Sequence, residues 1–435
     1  AGRQIDAPNK VGPVAIGRPP QGPIGAQNAQ RPKKHLPHRP LIGSQGGMTQ
    51  TATGQVRTLI AIYISVLLIG CLFGITMPLL SLRLEWMGAS KSINGLSAAI
   101  GVSSMLIMAP FMPRILSWLG TKTTMLWACL MASCALSLFP IFADIMPWFP
   151  IRLFFGLALT ALFTCSETWL NLTVPAKNRG LMLGLYGTIL SVGFSLGPYL
   201  LSLTGMAGAA PFTMAASMTI LAGLAIFLLT NNVKTDVPDK TSGLMNLWVK
   251  HPTPFLAAFL FGGIETGIFT LLPVHATMAG LEAAAAAQLL VAVGVGNVAM
   301  QLPIGWLADR VNNRLLLAIC ALSGLAGGVA LLLLEVGSPL MMGWLVFWGG
   351  AVVGFYTVGL SMLVKTSPSE LIPSMNAGFL TMYGLGAVLL PSASGLAMDH
   401  AGLMGLPGIL IFICASYLSL LTWRWWGHRR LKHSL

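Results

Sequence analysis

The feature that most constrains this chain is a succession of long apolar segments separated by short polar ones. Hydrophobic residues make up 55% of the sequence and charged residues only 9%, whereas about a quarter of the residues in a soluble domain are charged. Inside lipid every backbone N–H and C=O must be paired within the protein, so only helices or a closed barrel can cross a bilayer. The segments reach about 20 residues and lack the alternation of barrel strands. The sequence therefore predicts an all-α integral membrane protein.

Apolar windows predict twelve transmembrane helices, arranged as two halves of six. Their approximate spans are 58–82, 93–116, 122–143, 149–172, 180–203, 210–230, 254–276, 283–308, 315–335, 339–364, 375–398 and 404–426. The predicted organisation is a disordered tail at 1–55, an N-terminal half at 56–230, a cytoplasmic linker at 231–252, a C-terminal half at 253–426 and a cytoplasmic tail at 427–435. Residues 1–47, rich in Pro, Gly and Gln, are expected to be a disordered tail, an over-called gene start or a non-native addition.

The distribution of positive charge predicts how the helices cross the membrane. The formal net charge is +13, which in a soluble protein would suggest nucleic acid. With the N-terminus in the cytoplasm, most Lys and Arg fall on the inside, while Arg83, Lys91 and Arg152 fall on or near the outside. This is the bias of the positive-inside rule. We therefore expect a multi-pass protein of the cytoplasmic (inner) membrane with both termini cytoplasmic, and no nucleic-acid partner.

Two pairs of short sequences suggest an internal repeat. "APFMPRI" (109–115) ends the second predicted helix and "GWLADRV" (305–311) ends the eighth. "VPAKNRG" (174–180) precedes the fifth helix and "IPSMNAG" (372–378) the eleventh, at nearly the same offset. Duplicated halves that rock about a site near the bilayer midplane are typical of secondary transporters.

Three motifs resemble those of the major facilitator superfamily, over about residues 55–430. The loop after the eighth helix carries Gly305, Asp309, Arg310 and Arg314 in the Gly-x-x-x-Asp-Arg pattern with a following basic residue. Other matches are the Arg-x-x-x-Gly motif at Arg152 and Gly156, and the helix-five Gly-Pro motif of antiporters at Gly193, Gly197 and Pro198. A narrower resemblance, carried by Glu167, Asn171 and Glu265, is to a bacterial branch of drug- or sugar-exporter-like members.

The resemblance implies the superfamily's fold and a gate at the loop motif. Asp309 would sit against the N-terminus of helix five, near Gly180, where unpaired N–H groups favour a negative charge. Arg310 and Arg314 would pair with acidic groups or lipid phosphates, and Arg114 would stand at the equivalent place in the first half. A charged turn that only sets topology is the alternative.

Glu265 is the leading candidate for coupling transport to protons. Ionisable residues inside the membrane are costly and usually functional, and this one lies well inside helix seven. The neighbours Gly262, Gly263 and Gly267 allow close approach of another helix. By the resemblance, helices one, four, seven and ten line the cavity, so Glu265 would face the substrate path. A buried structural carboxyl is the alternative.

Other polar residues complete the predicted site. Arg152 would bind an anionic substrate or a carboxylate, or else extend to the outer interface. Glu167, about 22 Å further along helix four, would be a gating residue paired with Arg114, Lys122 or Arg179, or a simple interfacial ion pair. Tyr356 is the expected substrate contact on helix ten. Three further polar residues, Asn297, Gln301 and Tyr383, are expected to be hydrogen-bonded packing residues.

These features favour a secondary active transporter of a small solute, proton-coupled and working by efflux or antiport. The alternatives are an uncoupled facilitator on the same fold and a membrane assembly factor. An enzyme is not expected, because no nucleophilic triad, metal cluster or nucleotide loop occurs at usable spacing. The six cysteines have no metal-ligand spacing and suit helix packing. We expect no cofactor, no metal and a monomer whose partners are substrate, protons and lipid.

Overall fold

The computed structural model describes residues 52–174, 179–230, 248–366 and 372–433, and long α-helices make up most of these ranges. The first half contains α1 (Ala52–Trp86), α2 (Lys91–Met108), α3 (Thr121–Leu138), α4 (Trp148–Thr173), α5 (Arg179–Thr204) and α6 (Ala210–Leu229). The second half contains α7 (Pro252–Met278), α8 (Ala283–Arg310), α9 (Asn313–Leu333), α10 (Pro339–Thr366), α11 (Ile372–Ala401) and α12 (Gly405–His433). The predicted N-terminal tail up to 51 and the linker between 231 and 247 lie outside the described residues.

The number of membrane-spanning helices agrees with the prediction. In the described ranges, ten segments are long and apolar enough to cross a membrane, or eleven with the bent helix α2. The last of them, Met375–Arg424, has 50 residues, or about 75 Å of helix, more than twice the hydrocarbon thickness. It holds α11 and α12, which are separated by a short 3-10 turn and pack against each other. Counting both gives twelve spans.

The second predicted helix is not continuous, which corrects the expected span 93–116. Helix α2 ends at Met108, and a short helix, Met112–Leu119, follows at an angle of 64°. Pro110 and Pro113 lie at this break. Proline has no N–H to donate and its ring crowds the preceding turn, so an apolar run that contains two prolines bends.

The predicted cytoplasmic tail 427–435 begins inside a helix. Helix α12 continues to His433, beyond the end of the apolar stretch. Once a helix is established, each further residue adds a backbone hydrogen bond at little cost, so a helix outlasts the segment that lipid stabilises. The helix thus continues past the apolar segment into the predicted tail, and the position of the tail at 427–435 stays a prediction.

Helix packing repeats between the two halves. In the first half α1 packs on α5, α2 on α4, and α3 on α6; in the second half α7 packs on α11, α8 on α10, and α9 on α12. Adding six to each helix number converts one set into the other, as a duplicated six-helix unit requires. The halves meet through α2 against α11, α5 against α8, and α1 against α7.

Glycines let α1 and α5 pack at very short range. A Cβ atom built on Gly193 would lie 2.5 Å from the carbonyl oxygen of Leu67. One on Gly197 would lie 2.6 Å from the Cα of Gly74, which also approaches Pro198. Membrane helices associate through such small-residue seams, because lipid provides no hydrophobic drive between them. The residues of the helix-five motif therefore fix the α1–α5 contact.

We predict that Gly193→Ala lowers the thermal unfolding midpoint of the detergent-purified protein by several degrees. The added methyl group must push two backbones apart, and overpacking costs about 1–3 kcal/mol. Gly184→Ala, on the same helix, is the matched control, because a Cβ there meets nothing within 4 Å. Equal midpoints for the two variants would show that the seam does not limit stability.

Candidate functional site

Glu265 lies at the midpoint of α7, in the middle of the bundle. From Leu260 to Ala276 it is the one residue that is not fully buried. The hydroxyl of Tyr383, on α11, donates a hydrogen bond to its Oε2 atom over 2.6 Å. Gly262 packs directly against the backbone of Tyr383. The close approach of α11 that was predicted at this glycine therefore places the Tyr383 hydroxyl beside Glu265. Tyr383 is thus the carboxyl's partner as well as a packing residue.

Close approach does not extend to every glycine near Glu265. Gly263 packs against the side chain of Leu390 on α11. Gly267, for which the same role was expected, has open space where its Cβ would be. The structure therefore shows no close approach of another helix at Gly267.

Two cavities meet at Glu265. The larger, of about 70 Å³, lies between α5, α7 and α8, and this is room for about two water molecules. The smaller, of about 20 Å³, lies between α7, α8 and α10. Glu265, Phe269 and Asn297 line both cavities. Among all the residues that line the two spaces, Glu265 is the only ionisable one, so small spaces adjoin the central carboxyl group.

Tyr356, on α10, packs among aromatic rings near the central carboxyl group. Its ring packs on Phe261, with centroids 5.5 Å apart, and on Tyr383 at 6.4 Å. It lies close enough to interact electrostatically with both Glu265 and Glu167. Tyr356 lines neither central cavity, so its role as a substrate contact on α10 stays a prediction.

Glu167 lies on α4, towards the end of the bundle where the chain termini are. Its described neighbours include Tyr186 and Tyr356, and the Tyr186 hydroxyl is 2.9 Å from Ser166 Oγ. Lys122, one of its expected partners, donates from Nζ to the carbonyl oxygens of Phe227 and Thr230. The pairing of Glu167 with a basic gating residue stays a prediction.

Arg152 is buried, with 7% of its surface exposed. It lies in the second turn of α4 and packs along Gly101 of α2. Its guanidinium is therefore not extended to the membrane surface. It lines neither central cavity, so the structure does not bring together Arg152 and Glu265, which were both predicted to bind substrate.

The loop-motif residues form contacts within the second half. Asp309 Oδ1 is 3.4 Å from Lys365 Nζ, on α10. The guanidinium of Arg310 stacks over Trp306 at 4.0 Å, and the backbone N–H of Arg314 donates to Asn312. Gly305 is in ordinary contact with a neighbour on α10. Contact between Asp309 and the N-terminus of α5 stays a prediction, as does the gating role of Arg114, which is exposed.

Sequence reasoning missed a polar link between the halves at the opposite end of the bundle, away from the chain termini. Asp399, in the last turn of α11, accepts hydrogen bonds from the backbone N–H groups of Lys91 and Ser92, over 2.7 and 2.8 Å. These are the first amides of α2, which have no partner within their own helix, and the helix dipole favours a carboxylate there. Asp399 thus caps a helix of the other half.

Glu85 makes a second link at the same end. At the end of α1, its carboxylate is 3.1 Å from Lys91 Nζ and accepts a hydrogen bond of 2.9 Å from Thr277, at the end of α7. We call the contacts of Glu85 and Asp399 the opposite-end link. In the sequence, the only indication of this link was an acidic residue at the end of helix one and another at the end of helix eleven. Their hydrogen-bond partners in the other half cannot be read from the sequence.

The fold is that of membrane transporters of known structure, and the sequence comparison names the family. The sequence profile of the Major Facilitator Superfamily matches residues 62–355 and 255–433. The chain therefore belongs to the major facilitator superfamily, whose members move small solutes across membranes.

A relative and two solved structures show how far the similarity goes. The chain is 30% identical over 340 residues, 75% of this chain and 85% of the relative, to YfkF of Bacillus subtilis (strain 168), described as an uncharacterized MFS-type transporter. A mutant of the nucleoside transporter NupG superposes with a TM-score of 0.71 at 15% identity, covering 85% of this chain and 99% of that one. A bacterial homolog of the human lysosomal transporter Spinster, inward-facing and occupied, gives 0.70 at 13%, covering 86% and 98%. At these identities the two structures establish the fold alone.

We predict that Asp399→Ala speeds hydrogen–deuterium exchange in the first turn of α2 by about tenfold or more. The variant leaves two amides without their charged acceptor, and such a hydrogen bond contributes about 1.5–3 kcal/mol. Asp144→Ala is the control, since Asp144 is an exposed acid at the same end. Unchanged exchange in Asp399→Ala would mean that the link does not hold the two halves together.

Proposed function

We propose that this transporter is a proton-coupled exporter that exchanges a small solute for protons across the cytoplasmic membrane by alternating access. The observation that carries the proposal is the placement of Glu265. It is the sole ionisable group lining two adjoining cavities at the midpoint of a membrane-spanning helix. A mid-membrane site between two halves is where an alternating-access carrier binds its solute.

The proposed exchange of a proton for solute at Glu265 follows from the free-energy cost of an isolated charge in lipid. A carboxylate inside the membrane without a counter-ion is strongly disfavoured. One hydrogen bond from Tyr383 does not replace a hydration shell, so the empty site favours a bound proton. A solute that compensates the negative charge displaces that proton. Proton and solute then occupy the site by turns, and this is antiport.

The opposite-end link supports the alternating-access part of the proposal. With both termini cytoplasmic, as the positive-inside rule predicts, the opposite end faces outwards. The contacts of Glu85 with Thr277 and of Asp399 with α2 join the two halves there. A carrier closed on the outside in this way receives its solute from the cytoplasm. Breaking the link would allow release outside.

The hydrogen bond between Tyr383 and Glu265 also suits a second candidate, an uncoupled facilitator. In that case the carboxyl group would hold α7 against α11 and would take no part in proton transfer. Solute would then cross without proton movement, and removing the charge would alter packing but not coupling.

Proton movement in proteoliposomes distinguishes the two candidates. We predict that solute addition under a pH gradient changes the internal pH with the wild type, and that Glu265→Gln abolishes this change while leaving the protein folded. Glu282→Gln is the matched control, because Glu282 is exposed at the start of α8 and should leave coupling intact. Equal solute flux in wild type and Glu265→Gln, without proton movement in either, would contradict the exporter and support the facilitator.

A further inference from the structure

The short helix Met112–Leu119 has one buried face and one exposed face, and the exposed face is aromatic. Met112 and Leu116, one turn apart, are buried, and the helix packs on α3 and α4. Phe111, Arg114 and Trp118 are exposed, and Trp118 has 76% of its surface free. These three positions fall within about 60° of one another around the helix axis. The helix therefore presents two large rings and one positive charge away from the bundle.

The length and bend of α2 place this helix at a surface of the membrane. Helix α2 has 18 residues, or about 27 Å of helix, which is close to the roughly 30 Å of a bilayer's hydrocarbon core. Its first residue, Lys91, lies at the opposite end of the bundle, so Met108 lies near the membrane surface on the side of the chain termini. The short helix then leaves at 64° to α2. It therefore runs along the membrane plane rather than across it.

The chemistry of the exposed face suits the headgroup layer of a bilayer. Tryptophan and phenylalanine on helices that lie in this layer insert their rings between the headgroups and the acyl chains. The sequence has no acidic residue between Glu85 and Asp144, whereas Arg114 and Lys122 are both near the short helix. This local excess of positive charge is complementary to negatively charged lipid phosphates. Phospholipid is therefore the partner that matches both the rings and the charge.

The internal repeat shows that this helix belongs to one half only. Aligning "APFMPRI" (109–115) with "GWLADRV" (305–311) puts Pro113 at the position of Asp309. In the second half α8 continues to Arg310, and Asp309 lies 3.4 Å from Lys365 Nζ. Proline at 113 has no carboxylate with which to form such an ion pair. The first half has an amphipathic helix where the second half has a polar contact within the protein.

We propose that Met112–Leu119 is a membrane-interface anchor, whose Phe111 and Trp118 rings insert among phospholipid headgroups on the side of the chain termini. The anchor fixes one end of α2 to the bilayer. The other end of α2 is bound to the second half, because Asp399 accepts hydrogen bonds from its first amides. Helix α2 thus connects the lipid surface to the opposite-end link, and breaking that link leaves α2 held by lipid.

Fluorescence quenching in proteoliposomes of the full chain tests where Trp118 lies. The vesicles contain phosphatidylethanolamine and phosphatidylglycerol with acyl chains brominated near the headgroups, or unbrominated lipid with iodide on both sides. The Trp118 signal is the wild-type emission minus that of Trp118→Phe. We expect brominated lipid to quench this signal more strongly than iodide does. Trp127→Phe gives the matched control for lipid contact, since Trp127 is 56% exposed within a membrane-spanning helix.

Stronger quenching of the Trp118 signal by iodide than by brominated lipid would place the ring in water and overturn the proposal. That result would leave the exposed face open to a soluble partner instead. The Trp118→Phe change keeps an aromatic ring, so this measurement does not depend on a variant that disturbs the fold.

Hydrogen–deuterium exchange in the same vesicles tests whether the contact holds the helix. We expect the double variant Phe111→Ser, Trp118→Ser to speed exchange of the amides of the short helix by about tenfold or more. Withdrawing two large rings from an apolar layer favours local opening by at least that factor. Trp127→Ser, on neighbouring α3, should leave exchange there unchanged. Unchanged exchange in the double variant would show that lipid contact does not anchor the helix and would overturn the proposal.

Discussion

The proposed function depends on one carboxyl group inside the membrane-spanning bundle, for which the described residues supply no ion-pair partner. Glu265 sits at the middle of α7, where water cannot solvate it freely and where no cationic side chain lines the adjoining space. The protein reduces the cost in two ways, through the hydrogen bond from Tyr383 and through cavities that admit small polar species. Neither replaces an opposite charge. This unmet cost is the physical basis of the proposed exchange, in which a proton and the solute occupy Glu265 by turns.

The helices around Glu265 hold this arrangement and allow it to change. Within each half, glycine seams bring helices to backbone contact, as α1 meets α5 at Gly193 and Gly197. Such seams are rigid, because a packed interface has no room to slide. Between the halves at the opposite end, polar contacts made by Glu85 and Asp399 do the joining. Polar contacts at a membrane surface are exchanged for water at modest cost, so the proposed alternating access would open the two halves here.

Sequence reasoning predicted the fold well because hydrophobicity and charge bias are both set by the bilayer. It gave the twelve helices, the two halves and the position of Glu265. It placed α2 wrongly as one straight helix, since apolar windows do not register Pro110 and Pro113. It also missed the hydrogen bonds of Tyr383 and Asp399, because each joins helices that are distant in sequence. The apolar pattern indicates which residues avoid water. Hydrogen bonds between helices also depend on how each helix is rotated about its axis and how deep it lies in the membrane, and the pattern does not determine either.

The central claim is that Glu265 accepts a proton from the cavity and gives it up to solute. A hydrophobic carbodiimide tests it most directly, because such reagents modify protonated carboxyl groups in apolar surroundings. Mass spectrometry of the labelled protein should show the adduct on Glu265, and less of it at alkaline than at acidic pH, while exposed Glu282 stays unmodified. An unlabelled Glu265 at acidic pH, or labelling that pH does not alter, would contradict the account.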